Sequence, residues 1–119
     1  MIDDSADFSE LVGYSVAASG LRLVHAANGP EALDYLRAHP PPALILLDLR
    51  MPGMSGQQFR ALQLQDVGLR DIPILLLSAE PDLGDIAVRL GAAGSFRKGG
   101  PQTALRDAIL RCCRPPPRQ

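Results

Sequence analysis

The chain has 119 residues, a common single-domain length that suffices to bury roughly two thirds of the unfolded surface in one core. With 46% hydrophobic and 21% charged residues it lies near the globular averages, which excludes a collagenous, disordered or disulfide-built protein. Twelve basic and 13 acidic residues leave a formal net charge of -1, so no basic excess points to nucleic acid or an anionic membrane surface. No apolar run approaches the ~20 residues of a membrane span. Asp3 and Asp4 stand where a secretory signal would carry positive charge, and a cytoplasmic location is the expectation. Cys112 and Cys113 are adjacent, which rules out a disulfide framework or a spaced metal cluster.

Along the chain, apolar runs of strand length alternate with stretches of helical period, separated by Gly, Pro or Asn. That order is a βα repeat. After Met1-Ile2, Phe8, Leu11, Val12 and Val16 share one face of a first helix, and Gly20 stops it. Residues 21–27 read as a strand. Asn28-Gly29-Pro30 then turns the chain into a second helix with Ala32, Leu33 and Leu36 inward, which Pro40-Pro41-Pro42 ends. Residues 43–47 are continuously apolar, as expected of a strand covered on both faces. A third helix carries Phe59 and Leu62, and residues 72–77 form another fully buried strand with Pro73 near its start. Leu83, Ile86, Ala87 and Leu90 mark a short fourth helix ended by Gly91. Gly94-Ser95-Phe96-Arg97 reads as the last strand, and Pro101 opens a helix with Leu105, Ala108, Ile109 and Cys112 on one face.

The predicted architecture is a parallel, doubly wound α/β sheet. Its right-handed crossovers gather the strand carboxyl ends on one edge, where ligands bind. Asp3 and Asp4, Asp48, Ser78 and Lys98 all follow apolar runs and are expected there. Asp3, Asp4 or Ser5 would also suit a helix cap, and Ser78 alone would suit any strand end. Asp48 is harder to dismiss, because an acid ending five apolar residues is costly to desolvate unless something pairs or uses it. Lys98 stands out too, since the other 11 of the 12 basic residues are arginine. Three crowded carboxylates call for a hard divalent cation such as Mg²⁺, and a lysine and a hydroxyl beside them suit a phosphoryl group. The set suits phosphoryl transfer to a carboxylate.

These residues resemble a known family. Asp3-Asp4, Leu46-Leu47-Asp48-Leu49-Arg50-Met51-Pro52-Gly53-Met54-Ser55-Gly56, Ile74-Leu75-Leu76-Leu77-Ser78-Ala79 and Phe96-Arg97-Lys98 are similar to the receiver domain of two-component response regulators, across nearly the whole chain. The resemblance implies a flavodoxin-like, five-stranded parallel sheet of order 2-1-3-4-5 with five helices. It implies a phosphorelay role in which Asp48 accepts a phosphoryl group from a histidine kinase or phosphotransfer protein, and output through a downstream effector or a homodimer. Asp4 would bind Mg²⁺ directly, Asp3 largely through water, and Asp48 and the Arg50 carbonyl would complete the metal set. Ser78 and Lys98 would meet the phosphoryl oxygens. Such a domain is a signalling module that assists its own phosphorylation and dephosphorylation, without nucleic acid or membrane as a direct partner.

The chain also departs from the family pattern. Only Met1-Ile2 remains of the first strand, so that strand is truncated; a shortened version of a longer natural chain is the favoured expectation. Ser95 replaces the usual aromatic, with Phe96 expected on the opposite face, and Gly99 follows Lys98 where a proline is usual. Arg50 and Glu80 are expected to face one another across the mouth of the site. Residues 1–113 are read as the receiver unit and residues 114–119 as a proline-rich tail. Two other readings stay open: a degenerate receiver acting as a phosphorylation-independent binding module, and an aspartate-nucleophile phosphatase. The latter generally wants an acid where Arg50 stands.

Overall fold

The computed structural model describes residues 1–3, 6–51 and 53–113. Its sheet has three parallel strands, β1 (Ile45–Asp48), β2 (Ile74–Ser78) and β3 (Gly94–Arg97), in that spatial order. All nine residues of β1 and β2 are buried, as the apolar runs that lead up to Asp48 and Ser78 require of strands covered on both faces. In β3 only Gly94 and Phe96 turn inward, and Ser95 faces out as expected.

Side-chain alternation sorts the core into two layers. Ile45, Leu47, Ile74 and Leu76 meet Ala32, Leu33 and Leu36 of α2 (Gly29–Ala38), Phe59 of α3 (Gly56–Gln65), and Leu83, Ile86 and Ala87 of α4 (Leu83–Leu90). On the other face Leu46, Leu75 and Leu77 meet Val12 and Val16 of α1 (Ala6–Ala17) and Leu105, Ala108 and Ile109 of α5 (Gln102–Cys112). Helices therefore cover both faces. Leu11 and Leu62, expected inward, are 55% and 37% exposed, because the apolar stripes of α1 and α3 are narrower than their composition suggests. The Phe8 side chain lies outside the described residues.

The five-stranded order is not what the described residues form. Met1-Ile2 and residues 21–27 contribute isolated bridges in place of strands: Ile2 pairs in parallel with Ala26 on one side and with Leu47 on the other. The reason is the ladder itself. A strand persists only while a neighbour supplies partners, and two residues supply them only near Ala26. Within that short reach the pairing is complete: the Ile2 amide donates to Leu46 (2.7 Å), Asp48 to Ile2 (3.0 Å), Ala26 to Met1 (2.9 Å) and Asp3 to Ala26 (3.1 Å).

Local signals set the helices that frame the site. Asn28 caps α2 by accepting from the Glu31 amide at 2.9 Å. Ser55 and Gln58 form a capping box at the start of α3, directly beyond the turn that follows Asp48. Gly56 fits there for want of a side chain: a Cβ would stand 2.6 Å from the Asp48 carbonyl oxygen and 2.8 Å from the Leu49 Cα. Gly91 ends α4 with φ 66°, the left-handed cap foreseen in the sequence.

Candidate functional site

Asp3, Asp48, Ser78 and Lys98 do meet at the carboxyl edge of the sheet. Asp48 is the last residue of β1, Ser78 the last of β2, and Lys98 follows β3, so one parallel edge presents all three. The Asp3, Asp48 and Ser78 side chains are buried. Asp4 lies outside the described residues.

The sole lysine joins the acids. Its Nζ lies 2.9 Å from Asp3 Oδ2 and 3.0 Å from Asp48 Oδ2, and its amide donates to the Ser78 carbonyl at 2.9 Å. Gly99, with φ 97°, makes the turn immediately after, and the Lys98–Gly99 peptide is trans. Lys98 is therefore firmly placed without the proline usual in the family. Burial works against its ammonium, but hydrogen bonds and charge attraction from Asp3 and Asp48 together outweigh that, holding its pKa above the ordinary lysine value. At Asp48 the balance goes the other way for the anion: burial raises the carboxyl pKa, and hydrogen bonds from Lys98 and the Arg50 amide recover only part of the loss. The Arg50 amide reaches Asp48 Oδ1 at 3.2 Å.

Ser78 is arranged as a donor. Its Oγ accepts from the Glu80 amide at 3.1 Å, which leaves the hydroxyl proton free to point elsewhere. Arg50 and Glu80 form an ion pair through Nε and Oε1, as their positions suggested. One contact was not foreseen: His25 Nε2 lies 2.7 Å from the Asp3 carbonyl oxygen and so donates to it, adding a tie to the short first segment. The signal in the sequence was a lone polar ring inside the otherwise apolar residues 23–27.

The donor set can be tested against a divalent cation. Two buried carboxylates face one ammonium, an excess of negative charge, and the groups that converge there offer oxygen donors. That chemistry fits Mg²⁺. Among the described residues no group of three acidic, histidine or cysteine side chains is formed, and Asp4 is not among them.

A model of the response regulator receiver domain matches residues 1–110. The chain belongs to the response regulator receiver family. This receiver is 37% identical over 118 residues to the probable transcriptional regulatory protein NarL of Mycobacterium tuberculosis, covering 94% of the chain and 52% of that protein. It is 34% identical over 85 residues to the polar-differentiation response regulator DivK of Brucella anthropi, covering 71% of the chain and 68% of that protein. In three dimensions it resembles the chemotaxis protein CheY4 of Vibrio cholerae, with a TM-score of 0.80, 28% identity and 93% of each chain covered. The receiver thus spans about half the length of the NarL protein it matches. It is a receiver domain of two-component signalling with a flavodoxin-like α/β fold.

Proposed function

We propose that this receiver accepts a phosphoryl group on Asp48 from a histidine kinase or a phosphotransfer protein, in the presence of Mg²⁺. The observation that carries the reading is the convergence of Asp3 Oδ2 and Asp48 Oδ2 on the single lysine ammonium at the carboxyl edge. A carboxylate oxygen of Asp48 attacks phosphorus in line; as that O–P bond forms, the N–P bond of the phosphohistidine breaks and the histidine nitrogen keeps the bonding pair. Ser78 donates its hydroxyl proton to one phosphoryl oxygen, and Lys98 turns from the acids towards another. Asp3, Asp4, Asp48 and the Arg50 carbonyl would hold Mg²⁺, whose charge, when bound, offsets that of the phosphoryl oxygens.

The same reading makes the protein a signalling domain that assists its own phosphorylation and dephosphorylation, acting in the cytoplasm. Residues 1–113 form the functional unit in this reading and residues 114–119 a tail. Its signal would pass to an effector, or to a second copy, through a surface altered by phosphorylation; the named relatives are a transcriptional regulator and a polar-differentiation regulator. Among the described residues no helix is long and apolar enough to cross a membrane.

The test is treatment with acetyl phosphate and Mg²⁺, read by intact mass. One phosphoryl group should appear, labile to base, and be lost in Asp48→Asn and in chelator. A modification that survives Asp48→Asn would overturn the assignment. Absence of any phosphorylation, with partner binding retained in Asp48→Asn, would instead support a phosphorylation-independent binding module.

A further inference from the structure

Two neighbouring residues hold the Asp3 backbone from one side. Its amide donates to the Ala26 carbonyl at 3.1 Å, and its carbonyl accepts from His25 Nε2 at 2.7 Å. The first bond is an ordinary rung of a parallel ladder. The second is not. By the alternation of the ladder the next donor towards Asp3 would be the Asn28 amide, but Asn28 caps α2 and the chain leaves the sheet there. The imidazole donates at the point where the backbone turns away.

What this bond governs follows from the planarity of the peptide. The Asp3 carbonyl and the amide of residue 4 belong to one rigid plane, so a donor fixed on that oxygen fixes the rotation of the whole unit about Asp3. Asp3 and Asp4 flank that plane. The Asp3 side chain is tied differently: its Oδ2 lies 2.9 Å from Lys98 Nζ, a contact given up when Lys98 turns towards a phosphoryl oxygen. The bonds to His25 and Ala26 do not depend on Lys98. They keep the backbone of the acid pair in place after the ammonium has left. A water in place of the ring would satisfy the carbonyl without fixing it, since it has no anchor of its own in the fold.

We propose that His25 is a positioning residue for the divalent cation: by donating to the Asp3 carbonyl it orients the Asp3–Asp4 peptide, and with it the carboxylates that take Mg²⁺. This rests on the proposed role of Asp3 and Asp4 as metal ligands. A carbonyl oxygen can only accept, so Nε2 carries the proton of the bond. His25 acts on the ligands alone, and its loss weakens cation binding without slowing the transfer step once the cation is bound. Partners that orient metal ligands typically contribute roughly 10–100-fold to affinity, and a group acting through the backbone belongs at the lower end.

The experiment titrates the full, isotope-labelled chain with MgCl₂ and follows its amide resonances. Beside the parent stand His25→Phe, which keeps a flat ring without a donor, and His25→Gln, which keeps a donor on a side chain of similar reach. The Mg²⁺ dissociation constant should rise roughly tenfold in His25→Phe and return to within about twofold of the parent in His25→Gln. With acetyl phosphate the half-saturating Mg²⁺ concentration should shift by the same factors, while the rate at saturating Mg²⁺ holds within about twofold. His25→Leu repeats the comparison should the phenylalanine variant not fold, and thermal melts identify the folded chains. Parent-like affinity in a folded variant without a donor, equal weakening in His25→Gln and His25→Phe, or a lowered rate at saturating Mg²⁺ would each overturn the inference. A parent chain that takes up no Mg²⁺ would overturn the proposed function and this inference with it, and shows that without any substitution.

Discussion

Lys98 carries an unusual share of the site, since one partly buried ammonium balances two buried carboxylates. Removing it takes away the positive charge that lies between two buried acids. Lys98→Met should lower stability near neutral pH by roughly 2–3 kcal/mol, somewhat below the ~3–5 typical of a fully buried pair because Lys98 is partly solvated. Urea denaturation measures this, and a second change, Asp3→Asn, should restore part of the loss by removing one of the stranded charges. The Arg50–Glu80 pair has a different role. Its arginine is largely exposed, so the pair adds at most ~1 kcal/mol to stability, yet it joins the residues two beyond Asp48 and Ser78, beside the site. Arg50→Ala and Glu80→Ala should therefore leave the melting temperature nearly unchanged while altering the decay rate of phosphorylated Asp48, followed by intact mass over time. Unaltered decay in both variants would reduce the pair to two solvated loop charges.

Among the elements, the turn from β1 into α3 is tightly joined beside Asp48. A Cβ at Gly56 would meet backbone atoms of Asp48 and Leu49, which cannot swing aside as a side chain would. Gly56→Ala should cost ~1–3 kcal/mol and slow phosphorylation by displacing the end of β1. Gly84→Ala is the matched control: nothing lies within 4 Å of its Cβ position, and within α4 the change should stabilise by ~0.5–1 kcal/mol. Thermal melts of the two variants should move in opposite directions. The helices and the buried strands were legible because their signals are local: Asn28 caps, Gly91 stops, and residues 45–47 and 74–77 are apolar without interruption. Residues 21–27 misled because their apolar character is a property of the segment, whereas being a strand depends on a neighbour that Met1-Ile2 supplies only near Ala26. His25 escaped notice for a related reason: its polar ring stands out among residues 23–27, but its partner is the Asp3 carbonyl, a backbone atom distant in sequence. Asp3, Asp48, Ser78 and Lys98 could be gathered in advance because parallel strands deliver their ends to one edge whatever lies between them.

For the molecule as a whole, the buried amino terminus couples folding to pH. Burial lowers the Met1 amine from 8.0 to about 6, with the Asp3 carboxylate holding back part of the drop. The folded chain thus binds this proton less readily than the unfolded chain, so the stabilising contribution is complete above pH 8 and fades as pH falls towards 6. The denaturation midpoint should be lower at pH 6 than at pH 8. Joining a residue to Met1 through a peptide bond removes the titrating amine and should flatten that part of the profile. Arg60 ties together distant parts of the fold in another way. From α3 its Nε donates to the Leu90 carbonyl (3.0 Å) and its Nη2 to the Gly91 carbonyl (3.2 Å), while Nη1 holds Gln63, which in turn bonds the carbonyls of Leu69 and Ile72. The first turn of α4 is held instead by the burial of Leu83, and Asp82 makes no side-chain cap. The two ends of α4 are thus fastened by different means, buried apolar contact near Glu80 and a guanidinium at the last turn. Amide exchange in the last turn of α4 should accordingly be slow, and Arg60→Met should quicken it there while leaving the first turn, whose amides lack intrahelical acceptors in any helix, unchanged.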